Sequence, residues 1–131
     1  MQVDPEIWDK VQRAFAEALG LEEDEVELDH KIIEDLEAES LDFLDIAFRL
    51  ERAFDIKIPR GGIEKEAQEG DGVDDDGCLT AMGVERLRAA MPEVPADEIT
   101  VGMRTTEIPE TFRVATFYGL VVKLIAEKDA A

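Results

Sequence analysis

Residues 33–59 of the chain read IEDLEAESLDFLDIAFRLERAFDIKIP. Apolar side chains recur at helical spacing after Ser40, so the stretch predicts an amphipathic helix from Ser40 to Phe54. Pro59 rules out a continued helix. By pattern alone, a serine before an apolar helix is usually an N-cap. The alternative is a phosphate ester on its hydroxyl, because the free N–H groups and the dipole of a helix N-terminus stabilise that charge.

Two apolar stripes run along this helix. The first has the spacing that packs one helix against others and comprises Phe43, Ile46, Ala47, Leu50 and Phe54. The second lies on a neighbouring face and comprises Leu41, Leu44 and Phe48. One interpretation of the second stripe is additional core. The other is a small apolar patch within an acidic rim, which is typical of transient docking faces.

Length and charge limit the classes of function. The chain has 131 residues, enough for one domain with a real core, and its net charge is −19. Such a charge repels nucleic acids and anionic membranes and favours basic protein partners. Cys78 is the single cysteine, so no internal disulfide is expected. The sequence shows neither a basic apolar leader nor a membrane-spanning run, so we expect a cytoplasmic protein without membrane insertion.

The rest of the chain predicts further helices. One begins at Asp4-Pro5 and ends at Gly20, and residues 21–39 predict an irregular connection. Another is capped by Thr80 and ends before Pro92, and the last follows Thr111. Strand signals are weak throughout. The sequence therefore predicts an all-α bundle of three to four main helices.

An acidic loop is predicted between the second and last helices. Residues 61–77 contain five glycines and seven acids against one lysine, which favours a mobile, solvated loop. The run that starts at Asp71 does not place glycine and glutamate where an EF-hand needs them, so no metal site is predicted. His30 is expected to be solvated. Cys78 has no basic neighbour and is interpreted as a partly buried thiol.

The Asp35-Leu36 pair, the Ser40-Leu41-Asp42 run and the LERAFDIKIP ending of residues 50–59 resemble the signature of the acyl carrier protein family. Residues 40–48 are particularly similar to the specialised carriers of very long acyl chains in lipid A synthesis. The resemblance covers residues 21–59, is looser in the first and last helices, and is absent from residues 61–95. It implies an acyl-carrier-protein-like bundle in a single domain, residues 1–131, with an extra helix and the acidic loop inserted at about 60–110.

In that family the serine carries 4′-phosphopantetheine, which a phosphopantetheinyl transferase installs from coenzyme A, and the thiol of the group holds an acyl chain. The resemblance assigns Ser40 as the attachment site of a carrier that is not itself an enzyme. It implies docking of basic-surfaced synthases and acyltransferases on Glu39, Leu41, Asp42, Leu44, Asp45, Phe48 and Glu51. It implies an acyl-chain pocket lined by Phe43, Ile46, Ala47, Leu50 and Phe54. A monomer is expected.

The chain departs from the family signature at two positions before the serine. Glu37 stands where the family usually has glycine, and Glu39 stands where it usually has aspartate. The first change removes a flexible position from the turn into the helix.

Two alternative functions stay open: an aminoacyl or peptidyl carrier that uses the same serine, and an unmodified acidic interaction module. A serine hydrolase is disfavoured because no Gly-x-Ser-x-Gly elbow is present.

Overall fold

The computed structural model describes residues 3–58 and 70–130, and the side chains of all of these except Ser40 and Ala130. Predictions that concern residues 59–69, which include Pro59 and the first part of the acidic loop, lie outside the described residues. The described α-helices are α1 (Pro5–Leu19), α2 (Ser40–Phe54), α3 (Ala81–Ala90) and α4 (Val114–Ala130). Short 3₁₀ helices span Glu23–Glu25, Gly70–Gly72, Ala96–Glu98 and Thr105–Thr111. The predicted all-α fold with an extra helix is confirmed.

The described residues fall into two compact units. Residues 3–58 and 113–130 form the bundle unit, which contains α1, α2 and α4, and residues 70–112 form the second unit, which contains α3. In these residues, extended backbone pairs only at isolated antiparallel bridges, such as the one between Lys31 and Arg113. No helix in the described part of the chain has the length and apolar character needed to cross a membrane. The prediction of one domain over residues 1–131 stays a prediction.

Helix α1 begins and ends where the sequence predicts. The Asp4 carboxylate accepts hydrogen bonds from the N–H groups of Glu6 and Ile7 at 2.9 and 3.3 Å, which satisfies two donors of the first turn. Gly20 ends the helix with φ +69°, a left-handed conformation that glycine adopts without a steric penalty. Its N–H group donates to the carbonyl of Ala16.

The bundle unit has one core, to which its three helices and the 21–39 connection all contribute. Its fully buried side chains include Val11 and Phe15 of α1, Ile46 and Leu50 of α2, Val121 of α4, and Val26 and Ile32 of the connection. The connection also holds the start of α4. The N–H groups of Val114 and Ala115 donate to the carbonyls of His30 and Leu28 at 3.0 and 2.9 Å. These bonds satisfy donors that a helix N-terminus leaves without intrahelical partners.

The second unit is built on α3, as the sequence predicts. The Thr80 hydroxyl caps this helix by accepting from the N–H of Gly83 at 3.3 Å, and the inward face comprises the buried residues Val84, Leu87 and Met91. The four aspartates between residues 71 and 76 are exposed, as expected of a solvated loop. The backbone beside them is nevertheless held in place, because Gly72 is buried and its carbonyl accepts from the N–H of Thr80 at 3.0 Å.

We predict that Gly83→Ala destabilises the second unit by about 1–3 kcal/mol, because overpacking a tight contact forces backbone shifts. A Cβ at Gly83 would lie 2.1 Å from the carbonyl oxygen of Gly72, which cannot rotate away. Gly119 is the matched control, since a Cβ there meets nothing within 4 Å. Gly119→Ala should stabilise α4 by about 0.5–1 kcal/mol. Urea unfolding measures both changes, and a similar response from the two variants would contradict the contact.

Candidate functional site

Ser40 is the first residue of α2 rather than its N-cap. Glu39 occupies the N-cap position, with an extended backbone at φ −101° and ψ 166°. The Asp42 carboxylate accepts a hydrogen bond from the N–H of Glu39 at 2.8 Å and so closes the first turn one residue earlier than the serine pattern predicts. The N-cap interpretation of Ser40 is therefore wrong. The backbone N–H of Ser40 belongs to the first turn, where no intrahelical acceptor is available to it.

The turn that leads into α2 contains a left-handed residue. Glu37 has φ +58°, a conformation that costs a residue with a side chain roughly 1–2 kcal/mol and costs glycine little. Hydrogen bonds fix the backbone on both sides of it. The N–H of Leu36 donates to the carbonyl of Lys31, and the N–H of the buried Ala38 donates to that of Ile32, each at 3.1 Å. Glutamate therefore adopts a left-handed conformation at the position where the family usually has glycine.

The second apolar stripe of α2 is exposed. Leu41 is 75% exposed, Leu44 40% and Phe48 52%. These three account for half of the exposed large apolar side chains among the described residues, the others being Met82, Val101 and Val122. The interpretation of this stripe as additional core is not supported. Leu41, Leu44 and Phe48 form an exposed apolar face that begins on the turn of α2 that carries Ser40, and we call it the α2 face.

The acids that flank the α2 face also hold the helix together. Besides the Asp42 contact, the Asp45 carboxylate pairs with Arg49 at 3.0 Å, and the Glu51 carboxylate accepts from the N–H of Ile58 at 2.9 Å. Arg49 bridges to Glu17 of α1 at 2.9 Å as well. The family resemblance implied Asp42, Asp45 and Glu51 as docking residues, and that role stays a prediction. Sequence reasoning missed these structural contacts. The i,i+4 spacing of Asp45 and Arg49 is a signal for their ion pair, whereas the contact of Glu51 with the N–H of Ile58 leaves no signal in residue spacing.

The residues predicted to line an acyl-chain pocket lie at two depths. Ile46 and Leu50 are fully buried, whereas Phe43, Ala47 and Phe54 are partly exposed at the edge of the bundle unit. The Phe43 ring stacks on Phe117 of α4, with 6.0 Å between centroids and an angle of 23°. Phe117 in turn meets Phe15 of α1 edge-on at 5.8 Å. Neither Phe15 nor Phe117 was predicted to belong to the site, although both lie on the apolar stripes of their helices.

Glu27, Asp29 and His30 are the group of potential metal ligands that the described part of the chain brings together. Nδ1 of His30 accepts a hydrogen bond from the N–H of Glu27 at 3.2 Å. The proton of the neutral ring then sits on Nε2, which lies 3.3 Å from the Glu27 carboxylate. Neither ring nitrogen offers a free lone pair to an ion in this arrangement. We assign no metal site here.

We predict that Glu37→Gly stabilises the protein by about 0.5–1 kcal/mol, since it removes the steric cost of the left-handed backbone. Glu37→Ala is the matched control, because it removes the same charge but keeps a Cβ at φ +58°. Chemical denaturation should place the glycine variant above both the alanine variant and the unmodified sequence. If the alanine variant were as stable as the glycine variant, the gain would come from charge and not from the backbone.

Comparisons with known proteins agree with this geometry. A family model described as a phosphopantetheine attachment site matches residues 9–61, which include Ser40 and all of α2. The acyl carrier protein of Borrelia garinii subsp. bavariensis is 44% identical over 70 residues, 53% of this chain and 82% of the relative.

Two further relatives have the same name. The acyl carrier protein of Campylobacter lari is 44% identical over 59 residues, 45% of this chain and 77% of the relative. That of Sulfurovum sp. is 40% identical over 67 residues, 51% of this chain and 89% of the relative. The chain thus contains a phosphopantetheine attachment domain and belongs to the acyl carrier protein family, whose members are carriers of acyl groups and not enzymes.

Proposed function

We propose that Ser40 carries 4′-phosphopantetheine and that the protein tethers acyl intermediates for partner enzymes of specialised fatty acid, lipid or polyketide-type synthesis. The observation that carries this proposal is the position of Ser40 at the first residue of α2, next to the exposed α2 face. Ser40 is also the only serine in the chain, so a serine-linked group can lie only there. When bound, the group supplies the thiol that holds the acyl chain as a thioester.

The start of α2 fits a phosphate ester. The N–H groups of the first turn point out of the helix end and the dipole is positive there, so both favour an anion attached at this position. The neighbouring carboxylates of Glu39 and Asp42 oppose a free anion but not one held by a covalent bond. They attract a basic partner that docks around the attached group. A phosphopantetheinyl transferase and the acyl-processing enzymes are the partners that this arrangement suits.

The α2 face is suited to repeated, short-lived docking. Its three apolar side chains give a partner a small surface to desolvate, and the surrounding acids provide long-range attraction to basic surfaces. A carrier must release each enzyme quickly, and a small apolar centre with a charged rim achieves this because it combines fast association with modest affinity. The apolar interior beside Phe43 favours an acyl cargo over an aminoacyl one.

We predict that incubation with coenzyme A and a broad-specificity phosphopantetheinyl transferase adds one phosphopantetheine group to the protein. Intact-mass measurement detects the addition. Ser40→Ala should abolish it, and Thr106→Ala, which removes an exposed hydroxyl outside the bundle unit, should leave it unchanged. If several transferases add nothing to the folded protein, the carrier function is excluded and the unmodified interaction module takes its place.

We predict that Leu41→Ser leaves the stability of the protein within about 0.5 kcal/mol of its original value, because the side chain is exposed. The same change should lower kcat/KM of the transferase for this protein by about fivefold or more, as expected for an apolar residue at the centre of an interface. Val101→Ser is the control, since Val101 is 65% exposed but lies in the second unit. Equal rates for the two variants would contradict docking on the α2 face.

A further inference from the structure

Glu37 has a left-handed backbone three residues before Ser40, and its side chain is exposed. A residue with a side chain keeps φ +58° only where the surrounding structure imposes it, and such residues concentrate at functional sites. Here the hydrogen bonds from Leu36 and Ala38 to the carbonyls of residues 31 and 32 impose it. These bonds involve no side chain at position 37. They explain the backbone conformation, but they do not explain why glutamate occupies the position.

The Glu37 carboxylate differs from the acids around it in its lack of a partner among the described residues. The Glu34 carboxylate pairs with Lys31 at 2.9 Å, and the Asp35 carboxylate accepts from the N–H of Lys31 at 2.8 Å. The Asp42 carboxylate closes the first turn of α2. Each of these three acids therefore has a contact that stabilises the local structure. Glu37 has a backbone cost instead, and its charge is available to another molecule.

The reaction that loads Ser40 brings an enzyme directly against this turn. The hydroxyl oxygen of the serine bonds to a phosphorus of coenzyme A, the phosphoanhydride bond breaks to release adenosine 3′,5′-bisphosphate, and a base of the enzyme takes the hydroxyl proton. Three residues span at most about 11 Å, a range over which salt screens a charge only in part. The Glu37 carboxylate therefore repels the anionic coenzyme unless the enzyme places a cation beside it.

We propose that Glu37 determines which transferase loads Ser40, by selecting an enzyme with a basic side chain placed against the 37–39 turn. This inference rests on the proposed attachment at Ser40. A matching cation makes the carboxylate an attractive contact at the rim of the interface. An enzyme shaped for glycine at this position meets an added side chain and an uncompensated charge. Specificity of this kind combines attraction to one partner with a penalty against others.

The experiment measures kcat/KM of two transferases for the folded protein. One is the transferase of the organism that makes this protein, and the other is a broad-specificity enzyme that accepts carriers with glycine at this position. Glu37→Gln removes the charge and keeps the size of the side chain. It should lower kcat/KM of the first enzyme about threefold to fivefold through a higher KM, and high salt should abolish the difference. The second enzyme should lose less than about twofold or become faster.

An unchanged kcat/KM of the first enzyme, or an equal loss with both enzymes, would overturn the proposal. The matched control is Glu34→Gln, because it removes the same charge from a side chain that is 70% exposed but already paired with Lys31. It should leave both enzymes within about twofold of their original rates.

Glu37→Gly separates partner choice from stability. It should raise the unfolding midpoint and still slow the first enzyme about as much as Glu37→Gln does, which a purely structural role of Glu37 does not predict. A glycine variant with an unchanged rate would contradict the inference. Failure of the proposed attachment has a different signature, since no transferase then adds mass to the protein or to any of its variants.

Discussion

The hydrogen bond from the N–H of Glu39 to the Asp42 carboxylate fixes where α2 begins. Because this contact makes Glu39 the N-cap, Ser40 becomes the first helical residue. Its backbone N–H is then one of the first-turn donors for which the helix offers no acceptor. Burial of Ile46 and Leu50 fixes the rotation of the helix about its axis. Once both are set, Leu41 must face outward and Phe43 must lie at the border of the core. The position of Ser40, the exposure of the α2 face and the partial exposure of Phe43 thus follow from one cap and one buried stripe.

The acidic character of the protein operates at two ranges. At contact distance, Asp42 and Glu51 satisfy backbone donors and Asp45 pairs with Arg49, so these carboxylates stabilise the helix locally. At longer range, the net charge of −19 creates a field that attracts basic surfaces before contact. That field is screened over roughly 8 Å at physiological ionic strength, so it affects association more than the docked state. A substitution of Asp42 therefore changes helix stability and attraction to basic surfaces together. A substitution of Leu41 is expected to change the exposed apolar face alone and to leave helix stability as it is.

Sequence reasoning predicted the parts of the fold that local pattern controls. The bounds of α2 and the caps of α1 and α3 follow from apolar period and capping chemistry, and all three agree with the structure. The stack of Phe43 on Phe117 joins residues far apart in the chain and could not be inferred from spacing. The left-handed backbone at Glu37 was not predicted either: glutamate itself gives no signal for φ +58°, and the usual glycine of the family was interpreted only as a flexible position. By pattern alone Ser40 was interpreted as an N-cap, because the pattern does not show that Glu39 occupies this position and donates its N–H to Asp42.

The way in which α4 is anchored explains why the connection between α2 and α4 can be as long as the second unit. Helix α4 is held in the bundle unit at its first residues by the carbonyls of Leu28 and His30, and further along by the burial of Val121. None of these contacts involves residues 59–112. The entropic cost of closing a loop grows only with the logarithm of its length, so a longer connection between α2 and α4 weakens this anchoring little. The segment that departs from the family could therefore change in length and composition while the helices that present Ser40 kept their packing.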